Sequence, residues 1–280
     1  MLRVSLSIRK IVSKAMLCLS TLAAGLAIVV VCMMLGYITV KGLTFINLDF
    51  IISSSVPAGQ EGGGLRNEIL GTLLLVGLGS FIAVPLGMFA GVFLSEFGSP
   101  KVTSAIRFTA DVLSGVPSIV VGVFAYSIIV RPMQSFSALS AGAALAIIMI
   151  PVVARTTEES MRLVPLSLRE AALALGITKW RSVVSVTIPG ALTGIVVGIM
   201  LGIARIAGET APLLFTALGS SFAPDGLLNP VGALPMKIYQ YALSSDLNWQ
   251  QQAWAGAFIL MLLVLTISIA VRFISKRKTQ

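Results

Sequence analysis

Six apolar stretches, at residues 15–40, 68–94, 108–130, 138–154, 190–218 and 253–273, take up about half of the chain. A helix rising 1.5 Å per residue needs about 20 residues to cross the ~30 Å hydrocarbon layer of a bilayer, and these runs approach or exceed that length. Lipid offers no partner to a backbone N–H or C=O, so such a run is stable only as a helix that satisfies its own backbone. The expected fold class is an all-α membrane protein with six transmembrane helices.

Composition supports this and removes other classes. Of 280 residues, 56% are hydrophobic and 11% charged, too few charges for the surface of a soluble globule of this size. The net charge of +9 would suggest nucleic acid in a soluble protein, but here the basic residues collect at the ends of the apolar runs. The partner they indicate is the lipid bilayer, and no nucleic acid is expected. Lys41, Arg66, Arg131 and Lys237 fall on one side, Arg205 lies inside a run, and the other fifteen of the 20 basic residues fall on the side shared by both termini. By the positive-inside rule both termini face the cytoplasm. There is no histidine, and Cys18 and Cys32 both lie in the first apolar run, which argues against a disulfide framework or a Cys/His metal site. Residues 15–40 are too long for the core of a cleaved signal peptide and read as a retained first span.

The connections are informative in different degrees. Residues 41–66, with SSSVPAG and QEGGG, read as a flexible extracytoplasmic loop. Residues 219–252 hold Pro224, Pro230 and Pro235 and a short amphipathic segment at 236–243, where Tyr239 and Tyr241 suit the lipid headgroup region.

The partly polar insertion at 160–189 stands apart from the apolar runs. Ser167 and Glu170 have the spacing of a capping box, which would start a helix. Leu168, Ala171, Ala172 and Leu175 then form one apolar stripe, and Gly176 is placed to end the helix in a left-handed conformation. Thr178 can cap a second short helix over 179–183, and Pro189 is expected to break it before the next span. The small alanines suit close approach to a groove on another protein; packing on the chain's own bundle, with Glu170 acting only as a cap, is the other reading.

Glu170, Ala171, Ala172, Gly176 and Pro189, with Val186 and Ile188 before the proline, resemble the EAA loop of bacterial ABC importer permeases. The resemblance runs over roughly 65–276. The segments 111–124, DVLSGVPSIVVGVF, and 202–217, GIARIAGETAPLLFTA, are similar to those of the phosphate-importer permease pair. It implies a type I (MetI-like) permease domain over 67–274 with a coupling loop at 160–189, flanked by cytoplasmic tails at 1–14 and 275–280. It further implies a second permease subunit, two copies of an ATP-binding subunit docked on Glu170, Ala171, Ala172 and Gly176, and an extracytoplasmic phosphate-binding protein. The chain has no G-x-x-x-x-G-K-[ST] sequence, so ATP and Mg are expected on the partner, with no cofactor in this chain and no reaction catalysed by it. A permease for another oxyanion, sulfate or molybdate, is the nearest alternative. A membrane assembly factor or enzyme is more distant, since no nucleophile with its base is visible.

Arg205 and Glu209, four residues apart in the fifth apolar run, are the residues most expected to touch an ion, since charges within a span are rare and usually line a pathway. Arg205 stays protonated and offers a planar fork of donors that fits phosphate oxygens. Glu209 would share its helix face, hold the guanidinium while the site is empty, and accept a hydrogen bond from a protonated phosphate, a contact that sulfate, lacking a proton at neutral pH, cannot make. Pro212 frees the carbonyl of Gly208 and predicts a bend there. Thr210 completes the expected pathway set of Arg205, Glu209 and Thr210. The alternative for the charged pair is an ion pair that only fixes packing. Asp111 is expected to cap the third span or to take part in transport, Gly194, Gly198 and Gly202 to admit a neighbouring helix, Pro85, Pro117 and Pro151 to kink, and Glu158 and Glu159 to lie at a solvated end.

Overall fold

The computed structural model describes residues 6–277 and is helical almost throughout. Its elements are α1 (Leu6–Leu43), α2 (Leu48–Ile52), α3 (Arg66–Val92), α4 (Pro100–Gly115), α5 (Ser118–Ala125), α6 (Arg131–Met133), α7 (Ala138–Arg162), α8 (Leu166–Ala174), α9 (Lys179–Ser182), α10 (Ile188–Ala207), α11 (Ala211–Thr216), α12 (Leu234–Ala242) and α13 (Leu247–Arg277). Five helical segments, at 12–43, 66–97, 138–162, 179–207 and 247–270, are long and apolar enough to cross a membrane. A bent pair, Pro100–Gly115 with Ser118–Met133, is the candidate for the sixth. The tails' outermost residues, 1–5 and 278–280, lie outside the described residues.

The centre of the bundle is α7, packed between α3 and α10 by small residues. Gly79 of α3 meets Leu145, Gly87 meets Val153 and Gly91 meets Thr157, so the two helices run parallel with a fixed offset. Gly194, Gly198 and Gly202 of α10 meet Ser160, Thr156 and Met149 in turn, so α10 runs antiparallel to α7. A Cβ at Gly198 would sit 2.5 Å from Thr156 Cβ, so the four-residue glycine repeat is what lets the backbones approach. Leu75, Ala83, Leu145, Met149, Val153 and Ile206 fill the space between.

This register sets depth. Gly202 faces Met149, near the middle of α7, and Arg205 lies one turn further on, at the same mid-level of the bundle. On the other side, Arg107 of α4 pairs with Glu158 and Asp111 with Arg155, so α4 also runs antiparallel to α7. Continued by one turn, that register brings Gly115 to the level of Pro151, again mid-bundle.

Two expected spans are broken at this level. The third run does not form one helix over 108–130: α4 ends at Gly115, Val116 and Pro117 are extended, and α5 leaves at 103°. Pro117 lacks the N–H a continuing helix would need, and it biases Val116 away from helical geometry. Asp111 accordingly caps nothing and lies inside α4. The fifth run is interrupted where Pro212 predicts a bend, with α10 ending at Ala207 and Gly208–Thr210 lying outside any helix. Gly122 of α5 packs on Pro212 of α11, so the two broken spans adjoin.

The α8 end departs from expectation in three details. Helix α8 starts at Leu166 behind Pro165, so Ser167 lies within it and makes no capping bond. Thr178 does occupy the N-cap of α9, but without a side-chain bond. Pro189 does not break the chain direction: 179–207 is one continuous helix whose wide turn at Val183–Thr187 takes an Ile188 N–H to the Val183 carbonyl, and the proline sits in the first turn of α10. Gly176 behaves as expected, at φ +79.

At the α12 end the connector is more ordered than its composition suggests. Asn47 caps α2 by accepting from the Phe50 N–H at 2.7 Å, and Phe50 joins Leu65, Leu234 and Tyr241 in a second core. Tyr241 is therefore buried, stacked on Trp249 at 4.5 Å between ring centres, while Tyr239 is exposed. Only Tyr239 keeps the surface position expected of both.

Candidate translocation site and coupling surface

Arg205 lies in the last turn of α10, Glu209 lies past the helix terminus, and Thr210 begins the approach to α11. The pair therefore does not share a helix face. Arg205 Nε and Glu209 Oε1 are 4.0 Å apart, the outer limit of an ion pair, and their side chains are 38% and 17% exposed. A locked structural pair would be closer and more buried; this one leaves most guanidinium donors free. At mid-depth a guanidinium that exposed is tolerated only beside water, an ion or another polar chain. Interrupted helices at mid-depth bring unwound backbone and polar groups to one locus, an arrangement suited to holding an ion in a membrane. Thr210 and Gly208 also line a groove of about 970 Å³ between α1, α10, α12 and α13, whose other walls are apolar; Arg205 and Glu209 do not line it. The three expected pathway residues thus sit at one break but face different surroundings.

The α8–α9 pair presents a largely unburied surface. Leu166, Leu168, Leu173, Leu175 and Trp180 are all exposed, Glu170 and Ala171 with them, and only Ala172 of the expected set is buried. Three of the four stripe residues, Leu168, Ala171 and Leu175, are exposed, and only Ala172 packs inward. An exposed apolar surface of this kind at the end of a bundle is suited to contact with another protein. Glu170 has no ion-pair partner among the described residues.

Two ionic clusters support this end, and both went unseen in the sequence. Glu158 is not solvated: it is 1% exposed and lies 2.5 Å from Arg107, 2.8 Å from Arg162 and 3.3 Å from Arg155. A carboxylate taken out of water needs such partners, and here they come from α4 and from one turn on either side in α7. Arg155 also reaches Asp111 at 3.1 Å. In the second cluster, Arg169 of α8 pairs with Glu96 at 2.5 Å and donates to the Met161 carbonyl, while Lys179 donates to the Glu96 carbonyl. The i,i+3 and i,i+4 spacing of Arg155, Glu158 and Arg162 is visible in the sequence, and it was the only signal that could have found the first cluster.

At the α12 end Asp246 accepts from the Gly59 N–H at 2.7 Å and the Trp249 N–H at 3.1 Å. These backbone donors hold its carboxyl below the usual range. Burial pushes the Tyr241 phenol up to about 12, and the carboxylate of Glu68 adds to the effect.

Residues 83–280 match the family model for the binding-protein-dependent transport system inner membrane component. The chain belongs to that family. Among its relatives, the phosphate transport system permease protein PstA of Haemophilus influenzae is 40% identical over 271 residues, 96% of each chain. The protein of the same name from Yersinia pestis is 44% identical over 239 residues, covering 85% of this chain and 81% of its own. In fold the chain is similar to the inward-facing MetNI methionine ABC transporter, with a TM-score of 0.65 at 22% identity over 77% of this chain and 96% of that one. As a family member the chain is a multi-pass, all-helical permease component of a transport system, with five or six membrane-crossing segments.

Proposed function

We propose that this chain is the PstA-type permease subunit of an ATP-driven importer of inorganic phosphate in the bacterial cytoplasmic membrane, with six spans and both termini in the cytoplasm. The observation that carries the reading is the mid-depth break at Gly208–Thr210 with Arg205 exposed beside it, in a chain whose relatives are named for phosphate transport. Arg205 contributes a permanent positive charge and donors matched to phosphate oxygens. Glu209 and Thr210 contribute an acceptor for a phosphate proton and a hydroxyl.

The exposed α8–α9 surface would receive one of two PstB-type ATP-binding subunits, which hold the ATP and Mg; the chain itself then needs no cofactor. A PstC-type second permease subunit would complete the pathway, and a PstS-type protein would deliver phosphate at the α12 end. Closure of the ATP-binding subunits would move α8, and the breaks at 116–117 and 208–210 are where the spans can re-angle. Reconstituted complexes tested for ATP-dependent uptake of labelled phosphate should accumulate it and ignore sulfate and molybdate. Uptake of either of those in preference to phosphate would replace this reading with that of a permease for another oxyanion.

A further inference from the structure

At the α12 end, Glu68 is 1% exposed and neither carboxylate oxygen has a hydrogen-bond partner among the described residues. The Lys237 ammonium lies 3.5 Å from Glu68 Oε1, near enough to balance charge and too far for a hydrogen bond. It donates instead to Ser221 Oγ at 3.1 Å. Two buried hydroxyls, Ser55 Oγ and Tyr241 Oη, lie beside Glu68, with Ser55 within reach of both the carboxylate and the phenol.

Glu68, Lys237, Ser220 and Ser221 line a cavity of about 70 Å³, closed by Gly219 and Gly232. Its walls are built. Asn67 donates to the Ser221 carbonyl at 2.7 Å, and Gly232 lies so close to the Ser220 carbonyl that no side chain fits. The cavity begins three residues after α11 ends, at the outward end of the broken span that carries Glu209 and Thr210.

Even with the Lys237 ammonium at 3.5 Å and the Ser55 hydroxyl beside it, a carboxylate buried this completely keeps unfilled acceptor positions, which a ligand bringing a donor would satisfy. Such a ligand must also bring acceptors for Lys237 and the serine hydroxyls. A protonated tetrahedral oxyanion does both: its O–H donates to Glu68 while its other oxygens accept from Lys237 and Ser221. We propose that this cavity is a receiving site for such an ion, distinct from the mid-depth break, and that Glu68 selects for the proton. Resting on the phosphate reading above, the ion is phosphate. Sulfate carries no proton at neutral pH and would set acceptor against acceptor, a mismatch that a buried site rejects strongly.

The test is binding of radiolabelled inorganic phosphate to the assembled transport complex, washed free of binding protein and held in phosphatidylcholine bilayers, where no phosphomonoester headgroup can contribute. Wild type should bind phosphate and be undisturbed by a hundredfold excess of sulfate. Glu68→Gln, which offers both a donor and an acceptor, should bind phosphate at least tenfold more weakly and now be displaced by sulfate. Arg205→Ala should retain this binding while losing uptake. Should Glu68→Gln fail to assemble, Ser221→Ala decides: a several-fold loss supports the site and unchanged binding overturns it. Unaltered binding in Glu68→Gln, or binding lost in Arg205→Ala alone, means that water fills the cavity and the inference fails while the phosphate reading stands. A wild-type complex that transports no phosphate sinks the reading itself.

Discussion

Arg169 on α8 and Glu96 at the end of the α3 segment are joined at 2.5 Å, with both side chains largely buried. Through the Met161 carbonyl and Lys179, the same cluster also holds α7 and α9, so the exposed α8–α9 surface is fixed to the ends of two membrane helices. A pull on that surface is therefore delivered to the bundle.

Arg169→Ala should uncouple the complex. ATP hydrolysis by the assembled complex should persist, while uptake falls at least tenfold, and Arg169→Lys should recover only part because it cannot reach both acceptors in one fork. Parallel hydrolysis and uptake measurements check this; equal losses of both would point to simple misassembly.

Glu158→Ala leaves three guanidinium groups facing one another around an empty centre. Breaking a buried ion pair from one side typically costs about 3–5 kcal/mol, and the lower end applies because the arginines are a third to a half exposed and screened. Thermal unfolding of the detergent-solubilised complex should move down by several degrees, with Glu158→Gln intermediate.

Gly198→Val should prevent α10 from seating on α7, an overpacking that costs about 1–3 kcal/mol or more where backbone must shift. Gly25→Ala on α1, where nothing lies within 4 Å, is the control and should express normally. The comparison is read as the yield of folded, monodisperse protein.

Asp246 gives a pH dependence. Its folded pKa is depressed by the Gly59 and Trp249 N–H groups, so its contribution is fully present above the unfolded value, about 3.9, and is lost as pH falls through the lower folded value. The protection factor of the Gly59 amide, which removes the intrinsic pH dependence of exchange, should hold from neutrality to about pH 4 and fall only below it, and Asp246→Asn should be less protected above pH 4 and approach the wild type at lower pH.

How much of this was legible beforehand depended on sequence distance. The left-handed Gly176, the glycine repeat of α10 and four of the six apolar runs are local signals that match the structure, while the runs at 108–130 and 190–218 are interrupted. The bend at Pro212 was also foreseen, but not that it would carry Glu209 off the helix. The kink expected at Pro117 is a full break of 103°, and its size is not legible because the run stays apolar across it. Glu158 was taken as solvated because Arg107, which buries it, is 51 residues away. The burial of Tyr241 and Glu68 is hidden for the same reason, since Phe50 and Leu65 share a core with Tyr241, and Lys237 reaches Glu68 only through the packing of α12 on α3. Ser167 failed as a cap because Pro165 starts the helix first.

The central claim is that Arg205 at mid-depth meets the transported ion. Uptake of labelled phosphate by reconstituted complexes carrying Arg205→Ala, with subunit assembly verified on the same preparations, tests it most directly. The account predicts intact assembly and uptake reduced at least a hundredfold; normal uptake, or a complex that no longer assembles, would contradict it.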